Sequence, residues 1–406
     1  MDIFDKCYKD GGYLGILRMM KDKYFSRPVL SAIPGPEMEF AGHKVIIWSI
    51  NNYLGLAFDE DIKKVSVESA ARYSASAPMG SRMLTGNTLE HEALERRLAE
   101  FEKKEAAILF NYGYLGVLGT LSAIAHRSDT IIIDKLSHAC MIDGTFLAGC
   151  KHRFYKHNDM NDLEKQLQKA NEDRKGGILI VTEGVFGMRG DLSKLDKICE
   201  LKKQYDARLF VDDAHGCGVM GPTGRGTAEH FGVMDQVDLY FSTFAKSFAA
   251  IGGFTAGDQD VIRYIRYNAR TQIFAKSLPM IYVDTINATF DKLEKEPEHR
   301  ERVWEVTRLL QSGLKELGFT LGDTQSPVTP VYIPAETEIA MKIIVYLREK
   351  KGIFVSGVMY PVVPKGIILL RMIPTAGHTN EHIEKTLAGF KDLRDEFHLQ
   401  LDSVEV

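Results

Sequence analysis

The chain has 406 residues, 51 Lys and Arg against 55 Asp and Glu, a formal charge of −4 and 45% hydrophobic residues. This length suggests about two to three domains, and the composition supplies apolar side chains for a large core. The balanced charge lacks the basic excess of a nucleic-acid-binding protein, so no nucleic-acid partner is expected.

The cysteines at 7, 140, 150, 199 and 217 are odd in number and form no CxxC pair. They predict neither a disulfide framework nor a metal site, and they fit a reducing, cytoplasmic setting. The opening MDIFDKCYKDGGYLG has no apolar stretch of a secretory signal. No run approaches the ~18 apolar residues of a transmembrane helix.

In chain order, residues 1–50 form an N-terminal segment with mixed helix and hairpin signals, including a strand at 44–50 that ends at Asn51-Asn52. Residues 90–103 predict an amphipathic helix, because Leu94, Leu98 and Phe101 share one face. Short apolar runs follow at 106–110, 130–134, 152–155, 178–182, 208–211, 239–243 and 254–256, with helical stretches such as 162–170 and 195–205 between them. Runs that are apolar throughout suit strands buried on both faces of a mostly parallel sheet. The pattern predicts an α/β fold: a large domain at 51–285 built on seven strands with helices on both faces. Composition shifts near residue 285. A charged helix at 292–317 stopped by Gly318, strands at 328–333, 354–358 and 367–371, and a helix at 380–395 predict a smaller α+β domain at 286–406.

Four segments put reactive groups just past the ends of buried strands, where open α/β sheets bind ligands. Asp212-Asp213-Ala-His215 offers an acid able to pair with a protonated ring nitrogen, and a histidine able to reach the same ring, unless the acid only caps the next turn. Lys246 lies among apolar and small residues, where desolvation favours the neutral amine that attacks an aldehyde, unless it snorkels. Asn111-Tyr-Gly113-Tyr114 places a glycine turn before a helix start, a site for a phosphate. His138 follows a fourth strand and offers a flat ring for stacking, or is a satisfied loop histidine. Phosphate donors, a stacking ring, an acid and an amine are together what pyridoxal phosphate requires.

With these residues stand further motifs: Asn51-Asn-Tyr-Leu-Gly-Leu56, Gly80-Ser-Arg82 with Gly86 and His91, Ser137 to Gly144, Val211 to Gly216, Thr243-Phe-Ala-Lys-Ser247, Tyr267-Asn-Ala-Arg270, and Leu370-Arg371 with Ala376-Gly-His-Thr379. The set resembles the α-oxoamine synthases, a branch of the fold-type I, aspartate-aminotransferase-like pyridoxal-phosphate enzymes, and within it the bacterial serine palmitoyltransferases. The resemblance implies pyridoxal 5'-phosphate held as a Schiff base by Lys246, with Asp212 on the pyridinium nitrogen, His215 on the ring 3-hydroxyl and His138 stacked on the ring. It assigns the phosphate to Gly113, Tyr114 and Thr243, adds Ser277 to the cofactor contacts, and gives the amino-acid carboxylate to Arg371. Asn51 and Tyr53 match positions near the active site that are often shared across a homodimer interface, and each site is expected to draw on both subunits.

The implied reaction joins a small amino acid, serine first, to a long-chain acyl thioester (acyl-CoA or acyl-ACP), giving a 2-amino ketone, carbon dioxide and free thiol. Lys246 is the expected base. The sequence departs from the family at Gly187, usually serine; at Arg189, usually an acid; at Ala245, often serine; at Ala77-Pro-Met79, usually smaller; and at Lys276, usually a small residue. Arg189 and Lys276 add positive charge, which is either surface drift or a site for the sulfonate of cysteate, the second candidate amino acid, for a sulfonolipid base. A synthase that uses glycine or alanine, and a plain aminotransferase, rank behind these two.

Overall fold

Seven short runs rich in isoleucine, valine and phenylalanine assemble the central sheet of a computed structural model that describes residues 2–9, 24–25, 27–360 and 363–401. They are β1 (Ala106–Phe110), β2 (Thr130–Asp134), β3 (Lys151–Tyr155), β4 (Ile178–Glu183), β5 (Arg208–Asp212), β6 (Leu239–Thr243) and β7 (Gly253–Gly257). Their order is β3-β2-β4-β5-β6-β7-β1. Of the seven, only β7 runs antiparallel, against both β1 and β6; the remaining pairs are parallel.

Strands β2, β4, β6 and β7 are buried along their whole length. Alternation divides the side chains between two cores: Leu209 and Val211 of β5 join one, Phe210 the other. Both faces are therefore covered, as a sheet with parallel crossovers requires. Strand β3 lies at the edge and keeps a charged, exposed start.

Most expected elements recur with ends moved by one to three residues. Two differ in kind. The helix expected at 292–317 is two helices, Met280–Lys295 and Glu298–Glu316, because Pro297 has no N–H to continue the first and suits the start of the second. The strand expected at 354–358 divides: Ile353–Phe354 pairs in parallel with His43–Ile47, while Ser356–Val358 pairs with Ile367–Met372. Residues 10–23 of the N-terminal segment and 402–406 at the far end lie outside the described residues.

Helix Met280–Lys295 runs across residue 285 and buries Val283, Ile286, Phe290 and Leu293 in the large core. Residues before 51 contribute to a separate core: Ile46 and Trp48 pack with Val331, Leu370 and Phe390. Trp48 stacks on His378 at 3.8 Å and donates to the Thr386 hydroxyl. The Ala376 N–H then donates to the Tyr53 carbonyl (2.8 Å), which fixes the 51–53 segment over the large sheet.

An ion cluster ties β2 to the loops beyond β3 and β4. His157 donates from Nδ1 to Asp134 (3.1 Å) and from Nε2 to Asp191 (2.6 Å). Burial opposes its charge, but the two carboxylates outweigh burial and push the imidazole up to about 9. A group whose folded pKa is raised stabilises fully below its unfolded value, near 6.5, and loses that contribution as pH rises through about 9. Melting curves of the wild type and His157→Gln should therefore differ most near pH 6 and converge toward pH ~9.5; a constant gap would contradict the charged cluster.

Among the described residues no helix is long and apolar enough to cross a membrane, and no group of three or more His, Cys, Asp or Glu side chains is placed to hold a metal ion.

Candidate active site

Lys246 stands on a tight turn between β6 and β7. Phe244 and Phe248 are fully buried and pin the turn, and the Phe244 N–H donates to the Gly252 carbonyl (3.0 Å). The Ser247 hydroxyl donates to the Cys217 carbonyl (2.8 Å). The lysine is left aimed at the ends of the parallel strands. Burial drives its pKa down, the Asp212 and Glu183 carboxylates pull it back up, and the Arg371 guanidinium lowers it again. A neutral amine, the form that adds to an aldehyde, is thereby favoured.

The Asp212-Asp213 pair splits by strand alternation. Asp213 turns away from the site, accepts from the Thr227 N–H (2.6 Å) and the Tyr240 hydroxyl (3.0 Å), and is packed by three glycines. A Cβ on Gly184, Gly216 or Gly226 would come within 2.1 Å of its carboxylate oxygens. Asp212 faces the site. Its Oδ1 accepts from the Ala214 N–H (3.1 Å). Among the described residues Oδ2 has only the Cys140 thiol at 3.8 Å, a weak contact that leaves this oxygen open to a charged donor. Burial raises the Asp212 pKa, and Lys246 and His138 counter it.

His138 begins helix Ala139–Ala148 and caps it: Nδ1 accepts from the Cys140 backbone N–H (3.3 Å). A backbone N–H can only donate, so the ring proton sits on Nε2. The His138 N–H in turn donates to Glu183 Oε1 (2.7 Å). Glu183, the last residue of β4, also accepts from the Gly187 N–H (3.2 Å). Burial and then Asp212 push its carboxyl up to about 8. Sequence reasoning passes over Glu183, although an acid closing a buried strand is the same signal that singles out Asp212.

His215 is held edge-on by Tyr53, whose hydroxyl lies 2.8 Å from Nδ1. Its Nε2 abuts Gly187, where a Cβ would sit only 2.3 Å away. The missing serine at 187 is thus explained by sterics, since any side chain there would displace the His215 ring. Arg371 comes from a small antiparallel sheet of Thr329–Pro334, Ile367–Met372 and Ser356–Val358; Nε donates to the Gly187 carbonyl (2.5 Å) and Nη2 to Asn51 Oδ1 (3.4 Å). Asn51 and Tyr53 therefore reach the site of their own chain.

On the other side, Gly113 opens helix Gly113–Ile124, whose start has no side-chain cap among the described residues. A Cβ there would lie 2.8 Å from Thr243 Oγ1, so helix start and strand end form a close cradle. Its amide N–H groups and the helix dipole suit a phosphate. The Tyr114 hydroxyl is bound to Asp143, and the Tyr114 ring meets His138 edge-on.

Three expected residues stand at the margins. Ser277 donates to the Gly80 carbonyl (2.9 Å) and so anchors the Gly80–Arg82 loop instead of joining Gly113 and Thr243. The Lys276 carbonyl accepts from the Asn111 side chain, and its half-buried ammonium makes no ion pair among the described residues. Arg189 lies at the tip of the loop that begins with Gly187. Its Nε has no hydrogen bond among the described residues and sits 3.7 Å from Asp191. In the small sheet Tyr332 pairs with Leu369 and Pro330 with Arg371, so Tyr332 and Arg371 share one face. The Tyr332 phenol is raised by burial and lowered by Arg189.

These residues fit pyridoxal phosphate: an uncapped helix start for the phosphate, an open carboxylate oxygen for the ring nitrogen, two histidines around the ring and a desolvated lysine. Comparison with known proteins agrees. A match to the family described as aminotransferase class I and II spans residues 43–390. A cysteate-C-fatty acyltransferase of Capnocytophaga ochracea is 48% identical over 397 residues, 97% of this chain and 94% of the relative. A serine palmitoyltransferase of Bacteroides ovatus is 40% identical, over 88% of this chain and 91% of its own length. A solved serine palmitoyltransferase of S. paucimobilis, with a bound PLP–myriocin aldimine, superposes with a TM-score of 0.90 at 30% identity, covering 98% of this chain and all of that one (100%). The chain belongs to the class I and II aminotransferase family, has the fold of the fold-type I pyridoxal-phosphate transferases, and is an enzyme of the α-oxoamine synthase type.

Proposed function

We propose that the chain condenses a small amino acid with a long-chain acyl thioester on pyridoxal phosphate, releasing carbon dioxide and free thiol, and that cysteate is its preferred amino acid. Arg371 carries the reading: its guanidinium, anchored on the Gly187 carbonyl and Asn51, lowers the Lys246 pKa, and a substrate carboxylate would meet a planar donor fork there. When bound, the cofactor supplies an electron sink for charge at the amino-acid α-carbon. Lys246 would hold the cofactor and, as a free amine, take the α-proton of the amino acid. Asp212 would keep a proton on the ring nitrogen. His138 and His215 would supply N–H donors to the bound group. Gly113, Tyr114 and Thr243 would hold the phosphate.

Cysteate moves ahead of serine on two grounds. The relative that acts on cysteate shares 48% of its residues with this chain, against 40% for the serine palmitoyltransferase. Arg189 adds a second cation to the Gly187 loop that Arg371 contacts, although its buried Nε lies 3.7 Å from Asp191. The serine reading retains the support of the serine palmitoyltransferase fold match at a TM-score of 0.90. Thiol release from palmitoyl-CoA with cysteate and with serine separates the two. Cysteate should give a kcat/KM about tenfold higher or more, the scale of one charged hydrogen bond; equal rates, or serine the faster, would return the assignment to serine.

The enzyme works as a homodimer. Met79, Leu84, Leu89 and Phe274 are each at least 75% exposed, on segments tied together by the Ser81–Lys276 bridge. An apolar patch of this kind requires a cover. Cys140, Cys150, Cys199 and Cys217 are buried thiols, in keeping with a reducing cytoplasm.

A further inference from the structure

We infer that Tyr53 is a positioning residue that fixes His215 as the Nε2–H tautomer, so that a neutral imidazole presents one donor to an oxygen of the bound cofactor. Tyr53 is fully buried, and its hydroxyl has one partner among the described residues, His215 Nδ1 at 2.8 Å. If Nδ1 carried the proton, the phenolic hydrogen would be left buried without an acceptor, a loss of about a tenfold factor or more in the population of that arrangement. The phenol therefore donates, Nδ1 accepts, and the imidazole proton resides on Nε2.

Three features reinforce this. Burial and the neighbouring Lys246 and Arg371 cations hold His215 neutral, with its pKa far below the ordinary value. Burial likewise raises the Tyr53 phenol, which keeps the hydrogen available to donate. Nε2 makes no hydrogen bond to any described residue, and Gly187 clears the space beside it. The donor is left for a ligand oxygen, which a cofactor paired with Asp212 would supply. His138 has the same tautomer by a different route, through the Cys140 N–H. The site thus surrounds the ring with two neutral N–H donors, and the mobile proton of the reaction falls to Lys246.

The inference rests on the cofactor site and not on the choice of amino acid, so its failure leaves the cysteate question untouched. The test is nitrogen NMR of the full chain labelled with 15N-histidine, with and without pyridoxal phosphate, the His215 signals identified by their loss in His215→Gln. The wild type should show an unprotonated, hydrogen-bonded Nδ1 and a protonated Nε2. In Tyr53→Phe, a near-isosteric change in a packed site, the Nδ1 resonance should shift out of its hydrogen-bonded position and a δ-protonated population should appear. A tyrosine that merely fills space would leave both resonances where they were. Wild-type His215 protonated at Nδ1, or Tyr53→Phe resonances coincident with the wild type, would overturn the assignment.

Discussion

Lys246→Ala should lower thiol release by at least about a thousandfold and leave the protein without the absorbance near the visible edge that a lysine-bound cofactor gives. The size of the effect follows from the site. Among the described residues the Lys246 ammonium takes part in no hydrogen bond or ion pair, and the Ala249 N–H bonds to its backbone carbonyl, which alanine keeps. Removing the side chain deletes chemistry without deleting a structural contact. It also relieves the desolvation that depresses the amine. The melting temperature of the variant without added cofactor should accordingly stay within about 2 °C of the cofactor-free wild type. Lys276 is no substitute, because its segment is tied to Asn111 and Ser81 just past the end of β1, and its ammonium has no hydrogen bond or ion pair with Asp212, His138 or His215 among the described residues. More than a few per cent of wild-type turnover in the purified variant would contradict the assignment.

Much of this site can be read from the chain because each reactive residue directly follows an apolar run. A strand buried on both faces advertises itself by composition, and its carboxyl end is where a parallel sheet is open. Lys246, Asp212, His138 and Gly113 are legible in that way. Local pattern stops where the fold brings distant segments together. Arg371 and Asn51 are 320 positions apart, and only the small sheet packed against the Gly187 loop explains why they meet. The role of Tyr53 depends on the Trp48–His378 stack that carries its segment across the sheet. In sequence Gly187 reads as the loss of a hydroxyl, whereas the structure makes it a space requirement of His215.

The N-terminal and C-terminal parts show the same limit. A strand of residues 43–47 pairs with residues 353–354, a parallel contact that neither segment's pattern contains. A five-residue strand near 356 is a plausible reading of composition, yet its two halves serve different sheets. At Pro297 the physics is local: its ring and missing N–H interrupt a charged helical pattern whose periodicity alone runs on.

Asp212→Asn should lower kcat by about a hundred- to a thousandfold while leaving the melting temperature nearly unchanged. Asparagine keeps an oxygen for the Ala214 N–H and fills the same volume, so the turn after β5 survives. What it lacks is the charge. A neutral amide does not hold a proton on the cofactor's ring nitrogen, and the electron sink at the α-carbon weakens with it. Burial already raises the Asp212 carboxyl, and Lys246 and His138 pull it back down, so the charge is present at a cost that only a charged partner offsets. Asp213→Asn provides the contrast. Asp213 accepts two donors on the opposite side of the strand and is packed by Gly184, Gly216 and Gly226. Both donors share Oδ2, so an asparagine oxygen can keep them, but its NH2 then takes the place of Oδ1, which has no partner among the described residues, at about 1–3 kcal/mol for a buried donor left unpaired. The melting temperature of Asp213→Asn should fall by several degrees with a smaller change in kcat per folded molecule. The two neighbours thus separate chemistry from stability by strand alternation alone. Equal losses of kcat in both variants would mean that the carboxylate on the ring nitrogen is not Asp212.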